Sequence, residues 1–264
     1  MIEMPETLRQ WLAAEPFTLT MSSGFFGFFA HCGMLSALEE HGLHPKRLTG
    51  SSAGALVGAC WAAGCDTATL RDALFALSRK DFWDPGPGLG YLRGKLFREI
   101  IAGLAPVQRL ENCPTPISLS VYDGFARKTR VLERGLLPQA VAASCAVPIL
   151  FHPIKIGQRL YWDGGIGDRH GLAGLNPGDR IFYHHLSSRS PWRRKNSDAL
   201  QIPNWPNLCA LSIDGLPRSG PSRLDEGRKA WNCARDATLQ ALDMPLLIAG
   251  QGAASLQMVS PEKI

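Results

Sequence analysis

No run of apolar residues in this chain is long enough for a membrane-spanning helix, which needs about 20. No secretory signal is expected either, since the opening stretch MIEMPETLRQWLAAEPF carries acids where a signal has a basic start and an unbroken apolar centre. Dense charge of one sign is absent. A net charge of +5 and a pI near 8.9 lean toward an anionic surface or substrate, and fall short of a nucleic-acid footprint. The seven cysteines (Cys32, Cys60, Cys65, Cys113, Cys145, Cys209 and Cys233) have neither the even number nor the dense spacing of a disulfide framework. Cys60 and Cys65, five apart on an expected helix, do not face each other, so no metal site is expected. These absences predict buried, reduced thiols, no cofactor and a cytoplasmic location.

What is present is a globular composition, 45% hydrophobic and 19% charged. At 264 residues, with no internal repeat and no linker, it predicts one domain over 1–264 with a substantial core. Residues 6–14 read as a short helix, and FTLTMSS (17–23) as a first strand. A glycine-broken segment leads into a helix closed by Gly42; RLTGS (47–51) is a second strand, and Ser52 opens an apolar helix ending near Gly64. Asp66 caps a further helix through Leu77, and 81–94 is a loop by its prolines and glycines. A helix over 96–104, two strands around Asp123-Gly124, a small-residue helix, strands in KIGQRLYWD and RIFYHHLSS, a basic loop, a last strand at 208–213 and a last helix at 224–242 complete the pattern. Strands alternating with helices predict an α/β fold with a mainly parallel central sheet.

The stretch GSSAGAL (50–56) places Ser52 between Gly50 and Gly54, the pattern of a nucleophile on a sharp strand-to-helix turn. Side chains at either glycine would collide with neighbouring backbone, and the helix N-terminus offers N–H groups to a developing oxyanion. A chance G-x-S-x-G is expected on the order of a few tenths of a time in such a chain, so a packed turn serine is the plain alternative. Two further features bear on the choice. The segment SSGFFG follows the first strand, where Gly24 lets backbone approach a substrate and Phe25 contributes an N–H. Asp163 follows the strand RLYW and precedes Gly164 and Gly165, a tight turn that aims its carboxylate away from the sheet.

Together these segments resemble the patatin-like phospholipase family over about 17–167. SSGFFGFFAHCGMLSALEEHG is similar to its glycine-rich oxyanion loop and following helix, and GSSAGAL to its nucleophile motif. ASCAVPILFHP is similar to its ASxAxPxxFxP block, and YWDGG to its aspartate block. The resemblance implies a patatin-type three-layer fold and a lipid acyl hydrolase without catalytic histidine. Ser52 is then the nucleophile, Asp163 the base, Gly24 and Phe25 the oxyanion hole, and a lipid ester the substrate. Phe26-Gly27 stands where most bacterial members carry an arginine or lysine, closer to the GFLG of the animal neutral-lipid members. The aspartate block runs on into Asp168-Arg169-His170-Gly171 rather than toward asparagine and proline, which predicts a salt-bridged or differently packed turn.

Two other readings compete. An ordinary Ser-His-Asp esterase would draw on His170, His184 or His185, although that fold builds several strands before its serine. A silent lipid-binding or regulatory protein of the same fold would keep the glycines without the chemistry. The phenylalanines after Gly24 and the segment Phe82 to Tyr91 are candidates for an acyl-chain groove. The basic loop with Arg189, Trp192, Arg193, Arg194 and Lys195 is a candidate for peripheral contact with a lipid surface, against a solvated loop.

Overall fold

The reciprocal hydrogen bonds of a capping box open the first helix, between Thr7 and Gln10. The computed structural model describes residues 5–187, 197–247 and 252–260. In chain order its elements begin with α1 (Leu8–Ala14), β1 (Thr18–Met21), α2 (Phe28–Glu40), β2 (Arg47–Ser51), α3 (Ala53–Ala62) and α4 (Thr67–Ala76). Next come α5 (Arg79–Phe82), β3 (Gly90–Leu92), α6 (Lys95–Leu104), β4 (Ile117–Asp123), β5 (Lys128–Leu132) and α7 (Leu137–Ser144). Then follow β6 (Ile149–Phe151), β7 (Ile154–Ile156), β8 (Arg159–Asp163), β9 (Ile181–His185), β10 (Leu208–Asp214), α8 (Glu226–Leu242) and β11 (Ala254–Val259).

Nine strands form the central sheet, in the order β11-β10-β9-β1-β2-β4-β8-β7, with β5 paired to β4. Six of them pair in parallel, β5 and β8 run against these, and β7, antiparallel to β8, runs with them again. The result is an α/β fold with a mostly parallel sheet flanked by helices, as the sequence pattern predicts. Every residue of β1 and of β9 is buried, so the threonines that alternate with Leu19 and Met21 in β1 are enclosed along with them, as in a sheet covered on both faces. Helix α3 is buried nearly all round, from Ala53 to Cys60, and it packs on β1, β2 and β4. Its small residues make that possible. A β-carbon at Gly54 would fall on the carbonyl oxygen of Met21, so α3 and β1 meet backbone to backbone.

The sequence reading needs five corrections. The stretch KIGQRLYWD holds the end of β7 and all of β8, two antiparallel strands, rather than one strand. Residues 254–259 form β11, which pairs parallel with β10, so 208–213 is not the last strand. The 81–94 loop contains the end of α5 and all of β3. Strand β3 has three residues and its partner β6 lies far along the chain, so it carries no local signal. Cys65 lies beyond the end of α3, where its amide closes on the Cys60 carbonyl, rather than on the same helix as Cys60. Asp123 is more than a turn residue: it is fully buried and its carboxylate meets Arg159 at 2.5 Å and Arg130 at 3.7 Å. The basic loop at 189–195 lies outside the described residues.

Candidate active site

Strand β4 is the ruler on which the site is laid out. Its Ile117–Ser120 pair with Leu48–Ser51 of β2, and its Val121–Asp123 pair with Asp163–Tyr161 of β8. Strand β5 covers Leu119 to Asp123 along one edge of β4, so β2 and β8 must share the other edge, end to end. Ser52, one residue past β2, therefore meets Asp163, the last residue of β8. The Ser52 hydroxyl donates to Asp163 Oδ2 at 2.7 Å, across 111 residues of sequence. The other carboxylate oxygen, Oδ1, accepts the Gly165 N–H at 2.8 Å, which fixes the plane of the carboxylate. A β-carbon at Gly164 would strike the Ser120 carbonyl oxygen, and one at Gly165 the Ser23 side chain, so both glycines of the turn are spatial necessities.

Ser52 has φ 52° and ψ −114°, a backbone conformation that a residue with a side chain rarely adopts. Four interactions hold it there. Its N–H donates to Ser144 Oγ at 2.9 Å, and that hydroxyl donates in turn to the Ser120 carbonyl at 2.7 Å. Its own carbonyl accepts the Leu56 N–H, the first bond of α3, and the Cys145 thiol at 3.2 Å. A β-carbon at Gly50 would lie 2.7 Å from the Gly54 backbone, so the turn closes only with glycine at Gly50. Ser144 and Cys145 are contacts that the sequence reading missed as individual residues. Both lie in the ASCAVPILFHP block, so the motif held the signal while the pairing needed three dimensions. Burial, and then the charge of Asp163, push the Cys145 thiol well up from its ordinary value, so it stays protonated as a donor.

Ser52 and Asp163 are nearly buried, at 8% and 6% exposure, and Ser52 lines an apolar groove. The groove holds about 910 Å³ counting its open mouth, and Gly24, Phe25, Phe26 and Phe28 line it together with Phe82, Trp83, Phe97 and Phe151. The phenylalanines expected to form an acyl groove line it, whereas of the segment Phe82 to Tyr91 only Phe82 and Trp83 do; Tyr91 meets Trp83 with ring centroids 5.6 Å apart and planes tilted by 60°. The Gly24–Phe25 loop thus faces the same space as Ser52. Its base is tied to the end of β9. The Leu186 N–H donates to Ser22 Oγ, the buried Arg169 donates to the Leu186 carbonyl, and Gly24 packs so closely that a β-carbon would lie 2.5 Å from Leu186 Cδ1. In the turn after Gly165, Asp168 accepts from Ser120 Oγ and from the amides of Gly171, Leu172 and Ala173.

The histidines are engaged elsewhere. His31 donates through Nε2 to the Ser22 carbonyl at 2.8 Å, so its Nδ1 accepts from His184 Nδ1 at 2.9 Å. His170 donates to the Tyr183 hydroxyl, which donates to His185, which donates to the Leu200 carbonyl. With Ser52 bonded directly to Asp163, no imidazole stands between them, the arrangement that a Ser-His-Asp relay requires. Among the described residues, no group of histidine, cysteine and carboxylate side chains is placed to hold a metal ion, and no helix is long and apolar enough to cross a membrane.

Comparison with known proteins bears on the family and the fold. The family model described as "Patatin-like phospholipase" matches residues 19–175. An uncharacterized NTE family protein of Mycobacterium tuberculosis is 32% identical over 219 residues, covering 80% of this chain and 61% of that protein. A second such protein of the same organism is 28% identical over 167 residues, covering 60% of this chain and 28% of that protein. The chain therefore spans less than two thirds of the length of these curated relatives. Among solved structures, VipD from Legionella pneumophila superposes with a TM-score of 0.62 at 16% identity, covering 87% of this chain and 67% of VipD, a likeness of fold.

Proposed function

The chain belongs to the patatin-like phospholipase family, and from that premise we propose that it is a serine-dependent lipid acyl hydrolase that cleaves carboxylic esters. The observation that carries the reading is the 2.7 Å hydrogen bond to Asp163 from Ser52, which lines an apolar groove. Ser52 Oγ attacks the ester carbonyl while Asp163 Oδ2 takes its proton. The tetrahedral oxyanion rests against N–H groups of the Gly24–Phe25 loop. The intermediate collapses to an acyl-enzyme on Ser52, and the leaving alcohol takes the proton from Asp163. Water then attacks the acyl carbonyl, gives its proton to Asp163, and the carboxylic acid leaves as Ser52 is reprotonated. The groove's phenylalanines accommodate the acyl chain, and the 264 residues act as one catalytic unit.

A fluorophosphonate probe tests the nucleophile. It is expected to modify one peptide, the one containing Ser52, and Ser52→Ala should abolish the label. Labelling at another serine, or none in a folded sample, would favour the silent lipid-binding reading.

The loop is tested separately. Gly24→Val forces Leu186 aside, because the added β-carbon overlaps the end of that side chain rather than backbone. The fold is expected to survive while the donors lose alignment, and turnover falls about 100-fold to 1,000-fold. Wild-type turnover in this variant would place the oxyanion site elsewhere.

A further inference from the structure

The groove opens on a rim that is apolar where a soluble surface would be polar. Leu89 is 67% exposed, Tyr91 53% and Ile149 86%. The three are neighbours, because Gly90, between Leu89 and Tyr91, is the register partner of Ile149 in the two-stranded β3–β6 ribbon. Ile149 is unusual in its backbone as well. At φ 71° it is a β-branched residue in the left-handed region, where such side chains are rare, and yet its side chain is almost wholly in solvent. Burial in the core does not account for an isoleucine held in that conformation. The ribbon is joined to the groove itself: Leu92 and Phe151, one step along the same ladder, line its wall.

Cations flank this rim. Arg79 lies over the Trp83 ring at 3.7 Å, and Trp83 in turn carries Tyr91. Arg93 follows Tyr91 by two residues and is exposed. Neither arginine has an ion-pair partner among the described residues. The nearby acids are engaged locally: Asp81 accepts from Ser78, and Asp84 accepts from the amides of Gly94, Lys95 and Leu96 at the start of α6. Past Arg93 the surface continues into an open trough with Lys95, Arg98, His152 and Lys155 along it, and Glu99 as its acid.

Building on the proposed function, we propose that this rim is a docking surface for an anionic lipid bilayer. Leu89, Tyr91 and Ile149 enter the interface, and Arg79 and Arg93 meet the headgroups. Apolar side chains beside basic ones are the composition that binds a charged membrane surface, and neither element suffices alone. Docked in this way, the groove mouth faces the lipid, and an acyl chain passes from bilayer to Ser52 without crossing water. The surface is built on the β3–β6 ribbon and its neighbours and draws on none of the residues of the basic stretch at 189–195.

The test is vesicle sedimentation with Ser52→Ala protein, so that binding is read without hydrolysis. The protein should pellet with vesicles of phosphatidylcholine containing phosphatidylglycerol, and less with phosphatidylcholine alone. Adding Leu89→Asn and Ile149→Asn should weaken binding at least about tenfold. Adding Arg93→Gln should weaken it about fivefold, on the anionic vesicles only. In Ser52-containing protein the same three changes should leave kcat/KM on a dissolved short-chain ester within about twofold. Ile149→Asn should not lower the Tm, since asparagine tolerates the left-handed backbone better than isoleucine. Equal sedimentation of parent and apolar-rim variant, or no sedimentation of the parent with anionic vesicles, would overturn the proposal. Failure of the Ser52-containing protein to cleave the dissolved ester would count against the hydrolase reading, and leaves the sedimentation result to decide the surface.

Discussion

Asp163→Asn is expected to lower kcat/KM on a short-chain ester by about 100-fold to 10,000-fold, the usual worth of a positioned base, with circular dichroism unchanged. The substitution keeps size and shape, and the turn amide of Gly165 retains an oxygen to bond. What it removes is the proton acceptor. An amide NH2 facing Ser52 Oγ reverses the polarity of the 2.7 Å hydrogen bond, so the hydroxyl is no longer pulled toward ionisation. Ser52→Ala should cost at least as much, and the double variant little more than Ser52→Ala alone, because two residues acting as one unit are not additive. The histidines provide the contrast. His170→Ala and His185→Ala touch a chain that runs through Tyr183 to the Leu200 carbonyl. Each is expected to keep turnover within about tenfold of the parent. If either change abolishes turnover in a folded sample, direct transfer from Ser52 to Asp163 is wrong.

Resistance to urea is expected to fall steeply between pH 6.5 and pH 5, well above the range where carboxylates titrate. Burial drives the folded-state value of His31 down to about 4 and that of His185 down to about 4, and it also pushes His184 well down. In the unfolded chain each returns to about 6.5. The unfolded state therefore binds more protons between those values, so stability is full above pH 6.5 and is lost as pH falls toward 4. At about 1.4 kcal/mol per pH unit, His31 and His185 each cost roughly 2 kcal/mol by pH 5. His184 acts in the same direction. Its Nδ1–H is shared with His31, and protonating either ring puts a charge against its neighbour in the core. Together these losses are a large part of an ordinary domain's stability of about 5–15 kcal/mol. The measurement is the urea midpoint against pH, at constant ionic strength. A midpoint that stays flat from pH 7.5 to pH 5 would show that these rings are not neutral and enclosed in the native state.

The acid effect was invisible in the sequence, and the reason is general. His31 sits on a helix and His184 on a strand 153 residues away, and nothing local marks either as buried. Their desolvation is a property of the packing between α2 and β9. The same holds for the rim of the groove, whose Gly90–Ile149 pairing joins two segments with no shared periodicity. By contrast, the elements nearest the candidate site were legible. RLTGS gave β2 at its observed bounds, and Asp66 caps α4 as its side chain and position require. The steric demand for glycine at Gly50 and Gly54 followed from the sharpness of the turn, and the packing against Gly54 backbone and Met21 bears it out.

The sequence by itself determined the residue types, their order, and each local turn. These are short-range matters: a glycine where a side chain cannot fit, an aspartate before two glycines, an apolar run that must be buried. Only the tertiary structure decided which turn faces which. Ser52 reaches Asp163 because β2 and β8 follow one another along the same edge of β4, a consequence of β5 holding the other edge. Strand pairing of that kind is set by the whole sheet at once, since each edge can be filled only once and every buried backbone amide must find its partner.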